Sequence, residues 1–156
     1  MKVNLQKIID RFREGYKDPY PELPAKNSAV VIPLYETDEG YGVILTKRSE
    51  KLKSHPGQIS FPGGVYSEED KDYIDTAYRE WEEELGISSK SLKLIAPYKP
   101  VHTFTGYIIH PIVSLYEGDF KFDHSTHEVD KVILLDLEDF INLPFYTIQN
   151  PRFPSS

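Results

Sequence analysis

The sequence predicts an α/β domain, a mixed sheet with helices packed against it. Three observations carry this. β-rich runs stand on both sides of one strongly periodic helical segment, Asp72–Leu85. That segment has its own start and stop signals. With 156 residues, 39% of them hydrophobic, the chain can bury the core of one ordinary domain.

Residues 1–24 are read as an N-terminal amphipathic helix and linker packing on the domain. Leu5, Ile8, Ile9 and Phe12 recur at helical spacing. A partner-docking helix is the alternative. Acids and bases interrupt the apolar residues, which excludes a signal peptide. Pro19, Pro21 and Pro24 mark the linker. The domain proper is placed at 25–145. Ser28–Tyr35 and Tyr41–Thr46 are strand candidates joined by the turn Thr37–Gly40, hence a hairpin. Gln58–Phe61 reads as a short strand stopped by Pro62-Gly63-Gly64. Ser91–Ala96, Tyr107–Tyr116 and Val129–Leu137 are further strands, and Leu137–Leu143 holds a short helix. The segment 146–156, with Pro151 and Pro154, is an irregular tail.

Charge and composition narrow the function. Lys and Arg number 18 against 25 Asp and Glu, a formal charge of −7. A general nucleic-acid binder needs a basic face, so nucleic acid is not an expected partner. One small anionic ligand remains compatible, because a bound cation inverts the local field. The absence of cysteine excludes disulfides, thiolate metal sites and a thiol nucleophile. No run reaches the ~20 apolar residues of a membrane span. A cytoplasmic protein without a membrane partner is expected.

The informative segment is GGVYSEEDKDYIDTAYREWEEELGI, Gly63 to Ile87. Asp72 is the N-cap, Asp75 stands three residues on as in a capping box, and Gly86 sits at C′. Ile74, Ala77, Tyr78, Trp81 and Leu85 form the buried stripe. Glu80, Glu83 and Glu84 share another face at i, i+3, i+4, with Glu82 nearby. Like charges at that spacing cost ~0.2–0.5 kcal/mol per pair, and the helix dipole disfavours anions in this half. A solvated acidic face is the bland reading. The other is a divalent-cation site, since Mg²⁺ takes one or two carboxylates together with waters and substrate phosphate oxygens. The two glycines ahead of the helix are either a tight turn or a place where backbone approaches an ion or phosphate.

This segment resembles the signature of the Nudix hydrolases, G-x5-E-x7-R-E-U-x-E-E-x-G-U, where U is bulky and apolar. Arg79 to Ile87 matches its second half position by position. The first half departs: Gly64 to Arg79 holds one residue more, and the acid is Asp70 rather than Glu. The longer spacing, the early aspartates Asp70 and Asp72, and Thr76-Ala77 before the arginine resemble the coenzyme A diphosphatase branch. So does the upstream run Leu45-Thr46-Lys47-Arg48-Ser49, Lys53, Gly57 and Phe61-Pro62-Gly63-Gly64, with Lys53 in place of the branch's arginine. Thr105-Gly106-Tyr107 and His110-Pro111 fit the same branch.

The resemblance implies an α/β/α sandwich with a mixed sheet. It also implies a hydrolase that cleaves the diphosphate of a nucleoside-diphosphate derivative with Mg²⁺ or Mn²⁺. The expected substrate is coenzyme A or its thioesters, giving 3′,5′-ADP and a phosphopantetheine product. ADP-ribose or another dinucleotide is the alternative, as is a non-catalytic Nudix-like nucleotide-binding module. The retained glutamates favour the enzyme. By position, Glu83, Glu84 and the Gly63 carbonyl would be metal ligands, and Glu80 a ligand or the general base. Arg79 would orient the glutamates with help from Asp70. Glu128, just before a strand, is a further catalytic acid. Arg48, Lys53 and Gly64 would bind substrate, with Arg48 the expected reader of the coenzyme A 3′-phosphate. A homodimer is left open.

Overall fold

The computed structural model describes residues 26–143, apart from 54, 105, 125 and 126. The N-terminal helix and the irregular tail expected from the sequence lie outside the described residues.

β1 (Lys26–Thr37) and β2 (Gly40–Arg48) form the expected hairpin, with Thr37 paired to Gly40. β3 is only Ile59–Ser60. β4 (Gly63–Val65) is a strand where the sequence suggested a stop. It pairs antiparallel with β1, Val30 opposite Gly63, and a side chain on Gly63 would meet the Ala29 carbonyl at 2.3 Å. The glycines end β3 and allow β4 because they lie flat against β1.

After the helix α1 (Tyr73–Leu85) and a 3₁₀ turn (Ser89–Ser91) come β5 (Leu92–Pro97), β6 (Val101–His102) and β7 (Tyr107–Tyr116). β8 (Val129–Asp136) and the short α2 (Leu137–Ile141) complete the described chain. The 3₁₀ turn and β6 are too short for periodicity to reveal. The sheet runs β3-β2-β1-β7-β5, with β4 on β1, β6 on β7 and β8 on β2. β1 and β7 are parallel and the other pairs antiparallel, so the sheet is mixed as expected.

Strand alternation divides the core in two. Ala29 and Val31 of β1 join Ile44, Ile112 and the α1 residues Ala77, Trp81 and Leu85 on one face. Ile32 and Leu34 join Val43, Val113 and Leu137 of α2 on the other. Helices on both faces make the α/β/α sandwich. Among the described residues no helix is long and apolar enough to cross a membrane.

α1 starts and ends where the sequence puts its caps. The Asp72 carboxylate accepts from the Asp75 N–H at 2.8 Å. Asp75 answers one residue early, accepting from the Lys71 N–H at 3.1 Å rather than from Asp72. Gly86 closes the helix with φ 68°. Ala77, Trp81 and Leu85 are wholly buried, but Ile74 and Tyr78 are only partly so, and Thr76 is buried instead. Tyr78 reaches across the face to Ser114 of β7, oxygen to oxygen at 2.7 Å. Its hydroxyl works there as a polar anchor, not an apolar plug.

Candidate active site

Three pieces of backbone bring the acidic residues together. β4 lays Gly63 and Gly64 along β1, and the second half of α1 crosses them. The third piece comes from β2 and β8, where Arg48 is opposite Val129 and the Ser49 N–H donates to the Glu128 carbonyl at 2.9 Å. Residues far apart in sequence thereby meet at one end of the sheet.

Gly64 shows how tight the junction is. A Cβ there would sit 2.4 Å from Cδ and Oε1 of Glu80. The Glu80 carboxylate fills the space a side chain would need, so any substrate contact of Gly64 is left to its backbone. Gly63 is turned toward the helix. The Val31 N–H bonds the Pro62 carbonyl, so by alternation the next pair, Val30–Gly63, exchanges no bonds across the ladder. The Gly63 N–H is then free to donate to the Glu84 carboxylate, and it does. The Gly63 carbonyl points off the ladder as well.

Arg79 is the hub. Its Nε donates to Asp70 Oδ1 at 2.9 Å and Nη2 to Asp70 Oδ2 at 3.1 Å, a bidentate pair. Nη1 donates to Glu80 at 3.0 Å and to Glu83 at 3.2 Å. Nη2 also donates to the Val65 carbonyl at 3.2 Å. A guanidinium has five N–H donors, and the protein occupies every one. Arg79 therefore orients the carboxylates and has nothing left for substrate. The expected orienting role is consistent with this geometry. Glu69, which also lies near the signature's acid position, is exposed; Asp70 is the buried partner.

The electrostatics separate the acids. The bond from Arg79 holds the Asp70 carboxyl well below its ordinary range, and the same bond pushes the Arg79 pKa up. Burial pushes Glu80 up, aided by Glu83 and opposed by Arg79. Glu84 goes further, to about 8, first through burial and then through the charges of Glu80 and Glu128; the Gly63 N–H and Arg48 offset part of this. Glu128 thus acts electrostatically on both Glu80 and Glu84, and Arg48 on Glu84.

Most of the residues expected to form the site meet here: Gly63, Gly64, Arg79, Glu80, Glu84, Glu128 and Arg48. Glu83 joins through Arg79 and keeps 54% of its side chain exposed. Among the described residues, no three carboxylate or imidazole groups close on one point. Lys53 stands apart, exposed in the loop between β2 and β3 and ion-paired to no acid among the described residues. Sequence reasoning noted Thr76 only as part of the branch resemblance and gave it no role. Its hydroxyl, wholly buried, donates to Asp70 Oδ2 at 2.9 Å. Thr76 lies one residue from the buried stripe and three before Arg79, the signal that could have found it.

The donor set suits a divalent cation. Glu84 is buried with the charges of Glu80 and Glu128 acting on it, and burial first, then those charges, push its pKa up. Hard carboxylate oxygens are the ligands Mg²⁺ or Mn²⁺ prefers.

A carboxylate cluster at a helix end, set against a Gly-Gly strand in a mixed-sheet sandwich, is a scaffold for cation-assisted hydrolysis. The NUDIX domain model matches residues 25–154, and the chain belongs to the Nudix hydrolase family. It is 32% identical over 146 residues to the uncharacterized Nudix hydrolase NudL of Photorhabdus laumondii, covering 92% of this chain and 78% of that one. It is 36% identical over 121 residues to NudL of Escherichia fergusonii, covering 78% of this chain and 62% of that one. Solved structures share the fold. The Caenorhabditis elegans Ap4A hydrolase binary complex has a TM-score of 0.62 at 15% identity, over 83% of this chain and 90% of that one. The NUDIX domain of Shewanella oneidensis NrtR, complexed with ADP ribose, has a TM-score of 0.60 at 17% identity, over 86% and 87%. The protein is a Nudix diphosphohydrolase, and its family generally works with divalent ions such as Mg²⁺ or Mn²⁺.

Proposed function

We propose that this enzyme hydrolyses the diphosphate of coenzyme A or its thioesters, releasing 3′,5′-ADP and a phosphopantetheine product. The carrying observation is the group of mutually repelling acids, buried Glu84, half-buried Glu80 and exposed Glu128, beside a Gly63–Gly64 strand, with Glu80 held by Arg79. Glu83, Glu84 and the Gly63 carbonyl would hold Mg²⁺ or Mn²⁺, with Glu80 beside them. The ion would neutralise the diphosphate oxygens and lower the pKa of an attacking water.

The protein's own groups supply the rest. Glu128 is exposed and has no ion pair among the described residues. Glu80 is tied to Arg79 and Glu84 is buried, so Glu128 is the acid best able to take the water's proton. Arg48 neighbours Glu84, which puts its charge at the diphosphate and not at a distant 3′-phosphate. The 3′-phosphate is therefore assigned to Lys53, whose exposed ammonium lies in the same loop. The motif Leu45–Gly64 supports this substrate over ADP-ribose or a dinucleoside polyphosphate. A cytoplasmic site of action, with no nucleic-acid partner, belongs to the same reading.

The test is a panel of coenzyme A, dephospho-coenzyme A, ADP-ribose and Ap4A with Mg²⁺ or Mn²⁺, with products identified. Coenzyme A should give the highest kcat/KM. Lys53→Ala should cut its advantage over dephospho-coenzyme A about ten- to a hundredfold, the worth of a hydrogen bond between charged groups. A preference for ADP-ribose or Ap4A overturns the substrate assignment and leaves the hydrolase intact.

A further inference from the structure

Two departures from the family signature, Asp70 in place of glutamate and one extra residue before Arg79, find a common account in a third residue. An aspartate is one methylene shorter than a glutamate and reaches less far toward an arginine. Its reach must come from the loop that carries it, and that loop must be fixed to the helix.

Asp70 is fixed by four donors. Oδ1 takes Arg79 Nε at 2.9 Å. Oδ2 takes Arg79 Nη2 at 3.1 Å, the Ser67 N–H at 3.0 Å and the Thr76 hydroxyl at 2.9 Å. Three of the four donors converge on Oδ2, so the carboxylate is held from the loop and from the helix at once. Two of the donors belong to Arg79 and one to the loop itself. Thr76 is the donor on α1 that ties the carboxylate to the helix independently of Arg79. It is wholly buried, and its single hydroxyl proton lies nearer to Asp70 than to its other acceptor, the Asp72 carbonyl at 3.2 Å.

We propose that Thr76 is a positioning residue for the catalytic carboxylates. Its hydroxyl sets Asp70, Asp70 sets the plane of the Arg79 guanidinium, and Nη1 of that guanidinium aims Glu80 and Glu83. The shorter acid, the longer spacing and the buried threonine form one unit. A valine at 76 keeps the shape and removes the donor that ties Asp70 to the helix independently of Arg79.

The proposal rests on Glu80, Glu83 and Glu84 being the metal-binding group, so the experiment separates the two ideas. Mn²⁺ affinity is measured by electron paramagnetic resonance. The Arg79 Nε–H resonance, assigned through Arg79→Lys, is followed by NMR without metal. Thr76→Val should shift or broaden that resonance, weaken Mn²⁺ binding about tenfold and lower kcat on coenzyme A more than it changes KM. Thr76→Ser, which keeps the hydroxyl, should restore all three. If Thr76→Val does not fold, Thr76→Ala takes its place with the same expectation. Unchanged Arg79 resonance and Mn²⁺ affinity in the variant lacking the hydroxyl overturn the proposal. Equal losses in the serine and hydroxyl-free variants also overturn it, because packing alone would then explain them. Glu83→Gln and Glu84→Gln variants with undiminished Mn²⁺ affinity would instead remove the metal assignment, while the Arg79 resonance still decides the role of Thr76.

Discussion

Asp70 and Glu84 are buried to nearly the same degree, 5% and 8% exposed, yet their surroundings push them in opposite directions. Asp70 meets Arg79 in a bidentate pair and is held ionised far down the acid range. Glu84 is pushed up to about 8, first by burial and then by the like charges of Glu80 and Glu128, with the Gly63 N–H and the charge of Arg48 offsetting only part. Burial alone therefore does not decide how a carboxylate behaves here. One end of the site is completed by the protein itself, and the other is the end at which we propose that a cation binds. The first is architecture and the second is where the chemistry belongs.

The largest effect should come from the proposed cation end. Glu84→Gln removes a metal-binding carboxylate, worth several kcal/mol of transition-state stabilisation, or on the order of a thousandfold in kcat. The same change should flatten the pH dependence of folding in chelator-treated protein. Glu84 has a folded pKa above its unfolded value, so the folded state binds the extra proton. Its contribution to stability is full below about pH 4.5 and is lost as pH rises toward about 8. Urea midpoints across that range should fall for wild type and fall less for Glu84→Gln. Parallel curves would mean that Glu84 is not strained by burial. Glu128→Gln should come next, with kcat down about a hundredfold and the fold unaffected, if it takes the water's proton.

Asp70→Asn attacks the completed end and should cost less in rate but more in stability. It removes a partner of a charged pair, about 1–3 kcal/mol, toward the lower end because the Arg79 side chain is 34% exposed. Activity should fall about tenfold as Arg79 loses its fixed plane. Here the pH sign reverses. The folded pKa lies below the unfolded value, so the stabilisation exists above about pH 4 and is lost as pH falls below it. Acid unfolding should thus begin at higher pH in the variant. If Asp70→Asn unfolds in acid exactly like wild type, the Arg79 pair is not what stabilises this corner.

The contrast between the two ends also explains what could be read from the chain. Glu80, Glu83 and Glu84 announce themselves because i, i+3, i+4 spacing is local and their shared charge is unfavourable without a reason. The caps of α1 and the strands β1, β2, β7 and β8 are legible for the same local cause: periodicity and turn chemistry. What escapes depends on partners distant in sequence. β4 exists because glycine lies flat on β1. The charge of Arg48 comes to bear on Glu84 through strand register, which no motif states. Arg79 reads in sequence as an orienting residue; only the count of its acceptors shows that all its donors are spent in that role. The partial exposure of Tyr78 reflects a hydroxyl partner on β7 that helical spacing cannot name.

The smallest effect sharpens the comparison most cleanly. Asp72 lies two residues beyond Asp70, on the same loop, and it too accepts a hydrogen bond across three residues, from the Asp75 N–H. It is exposed, and its partner is a neutral backbone group, so it caps α1 without touching Arg79 or the glutamates. Asp72→Ala should cost about 1 kcal/mol, which in a domain of this size lowers Tm by about 2–4 °C. Asp72→Asn should recover most of it, since an amide oxygen still accepts the N–H. kcat should not change in either variant. A calorimetric scan and a rate measurement on the same samples distinguish the cases. A loss of stability without a loss of rate separates the loop's capping function from the Asp70–Arg79 pair. If Asp72→Ala instead lowered kcat as far as Asp70→Asn does, loop placement rather than the ion pair would control the glutamates. The functional difference between the two aspartates would then disappear.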